Sequence, residues 1–289
     1  MDNKKLKSEN TKLVIAISSR ALFNLDQSHK IFKEKGIEAY AKHQQENEHV
    51  ILEPGVGFTL VKKLLKLNSK KTPIDVILLS RNSADTGLRI FNSIEHYGLN
   101  ISRAAFTRGE STHPFVGAFE ADLFLSSNYN DVQKALQSGY AAASIVESKS
   151  NNSHPSQLRI AFDGDAVIFS DESERIFQEK GLEAFHENEI LSEKIELKAG
   201  PFKSFLVSLQ KIQSTFPEED NPIRTALVTA RSAPSHRRVI HTMRKWGIRI
   251  DESFFLGGLE KGVFLRQFAA DIFFDDQQQH CESASQYVP

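Results

Sequence analysis

Short apolar runs recur along this chain, and longer amphipathic stretches separate them. In the N-terminal half, residues 13–17, 74–79, 104–107, 123–125 and 141–146 read as strands. In the C-terminal half the matching runs are 158–162, 225–228, 253–256 and 272–274. Residues 173–187, 201–212 and 239–246 have helical character. Strands that alternate with helices imply right-handed βαβ units and a parallel sheet in each half. The polar stretch 148–157, rich in Ser and Asn with one Pro, reads as the linker between them.

The two halves also read as copies of one another. When residues 13–40 are set over 158–185, thirteen of twenty-eight positions are identical. Ordinary residue frequencies would give roughly two. The runs 77–101 and 226–250 align the same way, as do 121–127 and 270–276. A single repeat of roughly 147 residues is a duplicated domain and not a solenoid. The expected fold class is α/β, with two tandem Rossmann-like parallel-sheet domains over 1–150 and 151–289. The second domain is expected to carry a small helical cap insert over about 170–222. It stops opposite Tyr140, so either its sheet lacks the last strand of the first copy or the chain is cut short there.

Composition narrows the setting. The 289 residues suffice for two ordinary domains. A net charge of −1 favours neither nucleic acid polymers nor an anionic membrane. No apolar run is long enough to span a bilayer, and the first ten residues lack the apolar stretch of a signal peptide. Cys281 is the only cysteine, which excludes an internal disulfide and fits a reducing compartment. A cytoplasmic protein is the expectation; its oligomeric state, a homo-oligomer included, is not legible.

The chemistry lies where the copies differ. The second half has Asp163-Gly164-Asp165 where the first has Ser18-Ser19-Arg20, and Asp275-Asp276 where the first has Ser126-Ser127. Each acid follows a strand-like run, as does Thr229. Ligands of open parallel sheets bind at the carboxyl ends of strands, so these groups converge on one edge. Four carboxylates so close would raise one another's pKa unless a cation sat among them. An oxygen-only set fits Mg²⁺. Lys261 opens a helix-like run and can reach a phosphate. Taken singly, each motif has a bland reading: a turn, an N-cap or a solvated charge.

Taken in order, Asp163/Asp165, Thr229, Lys261 and Asp275/Asp276 resemble the four motifs of the haloacid dehalogenase-like phosphohydrolases. The strings SSRALFNLD, AFDGDAVIFSDESE, LVTARSA and FFDDQ resemble the cytosolic type I 5′-nucleotidases, over nearly the whole chain. The resemblance implies a Mg²⁺-dependent 5′-nucleotidase that cleaves nucleoside 5′-monophosphates, AMP and deoxynucleotides above all. It makes Asp163 the nucleophile that forms an aspartyl-phosphate. Asp165 becomes the acid that protonates the leaving oxygen and then the base that activates water. Asp163, Asp165 through its main-chain carbonyl, Asp275 and Asp276 become the metal set. Thr229 and Lys261 bind the phosphoryl oxygens, with Gly164 and Ala230 beside them.

The cap insert implied by the resemblance would cover the site and exclude water. Phe169, opposite Asn24, is the expected base contact, whereas Phe177 and Phe185 match Phe32 and Tyr40 and read as shared core. Arg231, opposite Asn82, is expected on phosphate or ribose. The first half, without the acids, is expected not to hydrolyse. It reads as a structural partner about a pseudo-twofold axis; the sharper expectation is a regulatory nucleotide site built on Ser18, Ser19, Arg20 and Ser80. The sequence has no His-Glu-x-x-His and no Gly-x-Ser-x-Gly, and Gly55-Val56-Gly57 is a turn without the Lys-Ser/Thr of a phosphate loop. Asn151-Asn152-Ser153 is no glycosylation signal in a cytosolic chain. Rival readings are a phosphatase of another small phosphomonoester, a phosphotransferase to a nucleoside acceptor, and a nucleotide sensor with incidental hydrolysis.

Overall fold

The computed structural model describes residues 12–69, 73–148, 154 and 156–288. The first half runs β1 (Leu13–Ser18), α1 (Ser19–Leu22), α2 (Asp26–Glu46), α3 (Phe58–Leu67), β2 (Ile74–Ser80), α4 (Leu88–His96), β3 (Arg103–Phe106), α5 (Pro114–Ala118), β4 (Leu123–Ser126), α6 (Tyr129–Gln137) and β5 (Ala142–Ser144). The second runs β6 (Leu158–Phe162), α7 (Glu172–Leu191), α8 (Lys203–Gln213), β7 (Ile223–Thr229), α9 (His236–Trp246), β8 (Glu252–Phe255), α10 (Lys261–Phe268), β9 (Ile272–Phe274) and α11 (Gln278–Ala284). Most of the expected linker, 148–157, lies outside the described residues.

Every strand pairing is parallel, as the βαβ alternation requires. The first sheet has the order β3-β2-β1-β4-β5 and the second β8-β7-β6-β9. The first four places correspond one to one. Among the described residues the second sheet has no counterpart of β5. No described helix is long and apolar enough to cross a membrane.

Successive residues of a strand face opposite sides of the sheet, and each side here is packed. Val14 and Ala16 face an outer cluster with Val116 of α5 and Val132 of α6. Ala161 does the same with Leu265 and Phe268 of α10 and Ala284 of α11. The other faces share one core. Leu13, Ile15 and Ile17 of β1 belong to the same apolar cluster as Leu158, Ile160 and Phe162 of β6.

That shared core is filled by α3 and α8, which exchange sides: α3 contacts β6 and α8 contacts β1. The polar ties follow the same exchange. Lys63 Nζ of α3 lies 2.5 Å from Asp271 Oδ1, and Ser208 Oγ of α8 donates to Asp122 Oδ1 at 2.8 Å. Each Asp uses its other oxygen inside its own half, accepting from Arg159 N at 2.8 Å and from Val14 N at 2.9 Å. The halves therefore meet through equivalent contacts.

The insert expected over 170–222 needs correction in part. The helix α8 buries Phe205, Leu206, Leu209 and Ile212 and is a core element. Its counterpart α3 stands between β1 and β2, as α2 stands opposite α7. Both long helices even kink at an equivalent glycine, Gly36 (φ 81°) and Gly181 (φ 82°). An insert after the first strand is thus common to both halves. Of the two helices in the second half's insert, α7 lies outside the shared core, and both contact the loop after β6.

A core shared by both halves predicts one cooperative unfolding transition in urea; two separable transitions would contradict it. Lys63→Ala strands Asp271 in a buried setting and should cost about 2–4 kcal/mol. Ser208→Ala, at the equivalent contact, removes a neutral donor and should cost about 1 kcal/mol in the same titration.

Candidate active site

The chain leaves β6 at Asp163 and turns sharply. Asp163 N donates to Phe274 O at 2.8 Å, which stitches the ends of β6 and β9 together. Ala166 takes φ 59°, and the turn closes through Phe169 N to Gly164 O at 2.9 Å. Gly200 presses its backbone against this loop. A Cβ there would lie 2.3 Å from Phe169 O and 2.4 Å from Val167 O, so no side chain fits. Gly164 in turn lies against the end of β7: a Cβ on it would come within 3.2 Å of Thr229 Oγ1.

Three carboxylates converge at these strand ends. Oxygens of Asp163, Asp275 and Asp276 lie within 4.8 Å of one another. Such a hard-oxygen set fits a divalent cation of the Mg²⁺ kind. Lys261, at the start of α10, bridges two of them, with Nζ 2.9 Å from Asp163 Oδ1 and 2.6 Å from Asp275 Oδ2. Asp275 also accepts from Gln277 N at 2.9 Å and lies 3.2 Å from His280 Nδ1.

Burial and crowding set the protonation of this cluster. Asp163 is pushed up to about 7 by its burial, against the pull of Lys261 and with a further push from Asp275. Asp276 is pushed up to about 6, again by burial first, then by Glu174 and Asp275. Burial draws Lys261 down, but the Asp163 and Asp275 carboxylates more than offset that and hold its pKa above the usual lysine range.

Asp165 stands apart from the three-carboxylate cluster. Arg231 grips its carboxylate with both arms of the fork, Nε to Oδ2 at 2.7 Å and Nη2 to Oδ1 at 2.8 Å. The remaining arm, Nη1, meets Glu189 Oε2 at 2.5 Å. Glu189, fully buried on α7, also accepts from Arg238 Nη1 and Ser173 Oγ, at 2.8 and 2.9 Å. Further out on α7, Glu174 accepts from Gln277 Nε2 at 2.8 Å and has its pKa raised, by burial and then by Asp165.

Of the residues singled out from sequence, Asp163, Gly164, Thr229, Lys261, Asp275 and Asp276 converge, with Ala230 following Thr229. Three do otherwise. The Asp165 carboxylate is held by Arg231 and is not one of the three that converge. Arg231, with its side chain 2% exposed, is spent on two carboxylates and is closed to a ligand. Phe169 has no exposed surface; it packs against Trp246 and cannot meet a base as it stands. Glu189 lies four residues past the 158–185 stretch of the repeat and is not among the residues expected from sequence. There the first half has Gln44, and that change of charge was the available signal.

The first half repeats this geometry with hydroxyls. Ser19 Oγ and Ser80 Oγ are 3.0 Å apart, where Gly164 meets Thr229. Ser126 Oγ accepts from Asn128 N at 3.0 Å, as Asp275 does from Gln277. Thr112 occupies the place of Lys261.

Open α/β sheets bind their ligands beyond the carboxyl ends of the strands, where this acid-rich cluster lies. A family model described as 5′-nucleotidase matches residues 5–289, and the chain belongs to that family. It is 41% identical over 286 residues to cytosolic 5′-nucleotidase 1B of Homo sapiens, covering 94% of this chain and 47% of that relative. The chain thus spans about half the length of the curated relative it matches. No solved structure matches it.

The raised Asp163 has a consequence for stability without a cation. Its folded pKa, about 7, lies above its ordinary 3.8, so the folded state binds the proton more tightly and stability falls as pH rises between those values. Asp163→Asn removes the ionisation. In EDTA at pH 8 it should raise stability by on the order of 1 kcal/mol, or roughly 2–4 °C in Tm, and by less at pH 5. A variant less stable than wild type at pH 8 would contradict this.

Proposed function

We propose that this chain hydrolyses nucleoside 5′-monophosphates to nucleoside and phosphate, at the strand ends of its second half. The observation that carries the reading is the buried Asp163 beside Asp275, Asp276 and Lys261, in a member of the 5′-nucleotidase family. AMP and deoxynucleoside monophosphates are the proposed substrates. The name of the human relative supports a cytosolic setting.

Asp163 attacks phosphorus with one carboxylate oxygen and forms an aspartyl-phosphate as the bond to the 5′-oxygen breaks. Asp165 gives a proton to the departing 5′-oxygen. It then accepts one from the water that attacks the aspartyl-phosphate, releasing phosphate and restoring Asp163. Thr229 offers its hydroxyl, and Gly164 and Ala230 their main-chain amides, to the phosphoryl oxygens. Lys261 offsets the charge that builds on them. Asp163, Asp275 and Asp276, with the main-chain carbonyl of Asp165, are the proposed holders of Mg²⁺, which would neutralise the phosphoryl group and hold it in line for attack. α7, which contacts the loop after β6, would shield the reacting atoms from bulk solvent.

The first half, 1–150, is proposed as a non-catalytic copy that arose by internal duplication and supports the catalytic half, 151–289. Matching sheet orders and the exchanged α3 and α8 support that origin. The serines at its strand ends offer neither a nucleophilic carboxylate nor a cation site.

Phosphate release from ribo- and deoxyribonucleoside monophosphates, with Mg²⁺ or with EDTA, tests the proposal. Wild type should release phosphate only with Mg²⁺. Asp163→Asn should lose at least about 1000-fold, the scale of losing a nucleophile. A folded, Mg²⁺-supplied protein that releases phosphate from none of these nucleotides would overturn it.

A further inference from the structure

Two buried residues, Arg231 and Glu189, have no part in the chemistry just proposed, yet they hold the only catalytic carboxylate outside the three-acid cluster. Their place in the duplicated architecture shows what they answer to. At the position of Asp165 the first half has Arg20, at Arg231 it has Asn82, and at Glu189 it has Gln44. The surrounding frame is kept. Ser28 donates to Gln44 at 3.0 Å as Ser173 donates to Glu189, and Arg89 lies 3.2 Å from Gln44 as Arg238 lies 2.8 Å from Glu189. Asn82 accepts from Tyr40 at 2.8 Å, so neutral side chains stand at the places of Arg231 and Glu189, beside Arg89.

The scaffold therefore closes without an Arg–Glu pair at this place. A buried ion pair is a poor source of stability, since desolvation consumes most of its attraction. What changes together with Arg231 and Glu189 is the carboxylate at position 165. The planar fork grips both oxygens of Asp165, which fixes the orientation of that carboxylate in a way a point charge cannot. Glu189 in turn fixes the fork, and it is itself fixed by Arg238 and Ser173.

We propose that Arg231 is a positioning residue for Asp165, held in place by Glu189, and that it serves the step in which Asp165 acts as a carboxylate. This rests on the nucleotidase reading above. In that step a water oxygen bonds to phosphorus, Asp165 takes the proton, and the bond from phosphorus to the Asp163 oxygen breaks. Phosphate leaves and Asp163 is regenerated. Orientation decides the rate here, because the base must reach one water proton along the line of attack.

The test separates this step from the first. p-Nitrophenyl phosphate has a leaving group that needs no proton, so its phosphoryl transfer to Asp163 does not call on Asp165. The double variant Arg231→Asn/Glu189→Gln copies the neutral pair that the first half already folds around. With Mg²⁺ and p-nitrophenyl phosphate it should show a burst of p-nitrophenol close to one equivalent per site, then a steady rate on the order of 100-fold below wild type. Arg231→Lys keeps the charge, loses the fork and should behave the same way. Should the double variant fold poorly in a melting measurement, Arg231→Lys carries the test alone. An unchanged steady rate, a burst that falls in step with it, or full rescue by lysine would overturn the proposal. A wild type that turns over neither this substrate nor any nucleotide would instead sink the nucleotidase reading.

Discussion

Asp163 and Asp275 are buried side by side, and one ammonium, Lys261 Nζ, lies within 2.9 Å of both. Ionised carboxylates packed this closely repel unless positive charge is brought to them. Much of the local architecture meets that demand. The start of α10 delivers Lys261, and the first turn of α11 brings His280 to Asp275. Where Lys261 does not reach, Arg231 takes Asp165. Burial first, and the neighbouring carboxylates after it, raise the pKa values of Asp163 and Asp276. A divalent cation at these oxygens would supply positive charge that favours their ionised forms.

The first half serves as an internal control. It has the same strand order through four strands, the same kinked helix and the same glycine pressed against the first loop, Gly55 in place of Gly200. Its strand ends carry Ser18, Ser80 and Ser126 in place of Asp163, Thr229 and Asp275. Among the described residues no cluster of acids forms at those strand ends; one buried carboxylate, Asp131, pairs with Arg81 there. Fold and charge are thereby separable in one molecule. The apolar frame, with α3 and α8 exchanged across a single core, stands in both halves, and the ionic site stands in one.

Much of this was legible in the sequence because it is local. Apolar runs gave each strand to within a few residues, and the repeat gave the matching order of the two sheets. Asp163, Thr229, Lys261 and Asp275 were legible as strand-end or helix-start residues that a parallel sheet gathers on one edge. What was not legible depends on directions that strand position does not set. Phe169 follows the catalytic loop closely, but the turn at Ala166 sends it into the core against Trp246. Arg231 sits two residues past Thr229, where a phosphate contact is natural, yet Asp165 and Glu189 claim its whole fork. Glu189 lies far along α7, and its use rests on a contact 42 residues distant. The insert between β6 and β7 divides for another reason: its second helix, α8, is apolar enough to be core, and the first half has one like it.

In the proposed reaction Asp163 takes the phosphoryl group. Rapid quenching during turnover of a nucleoside monophosphate, followed by borohydride reduction and peptide mass spectrometry, tests it directly. Reduction converts an aspartyl-phosphate to homoserine. Homoserine is expected at position 163 and at no other aspartate, and none when nucleotide is withheld. Homoserine at Asp165, Asp275 or Asp276 in place of 163 would contradict it. So would sustained phosphate release with no homoserine at any quench time.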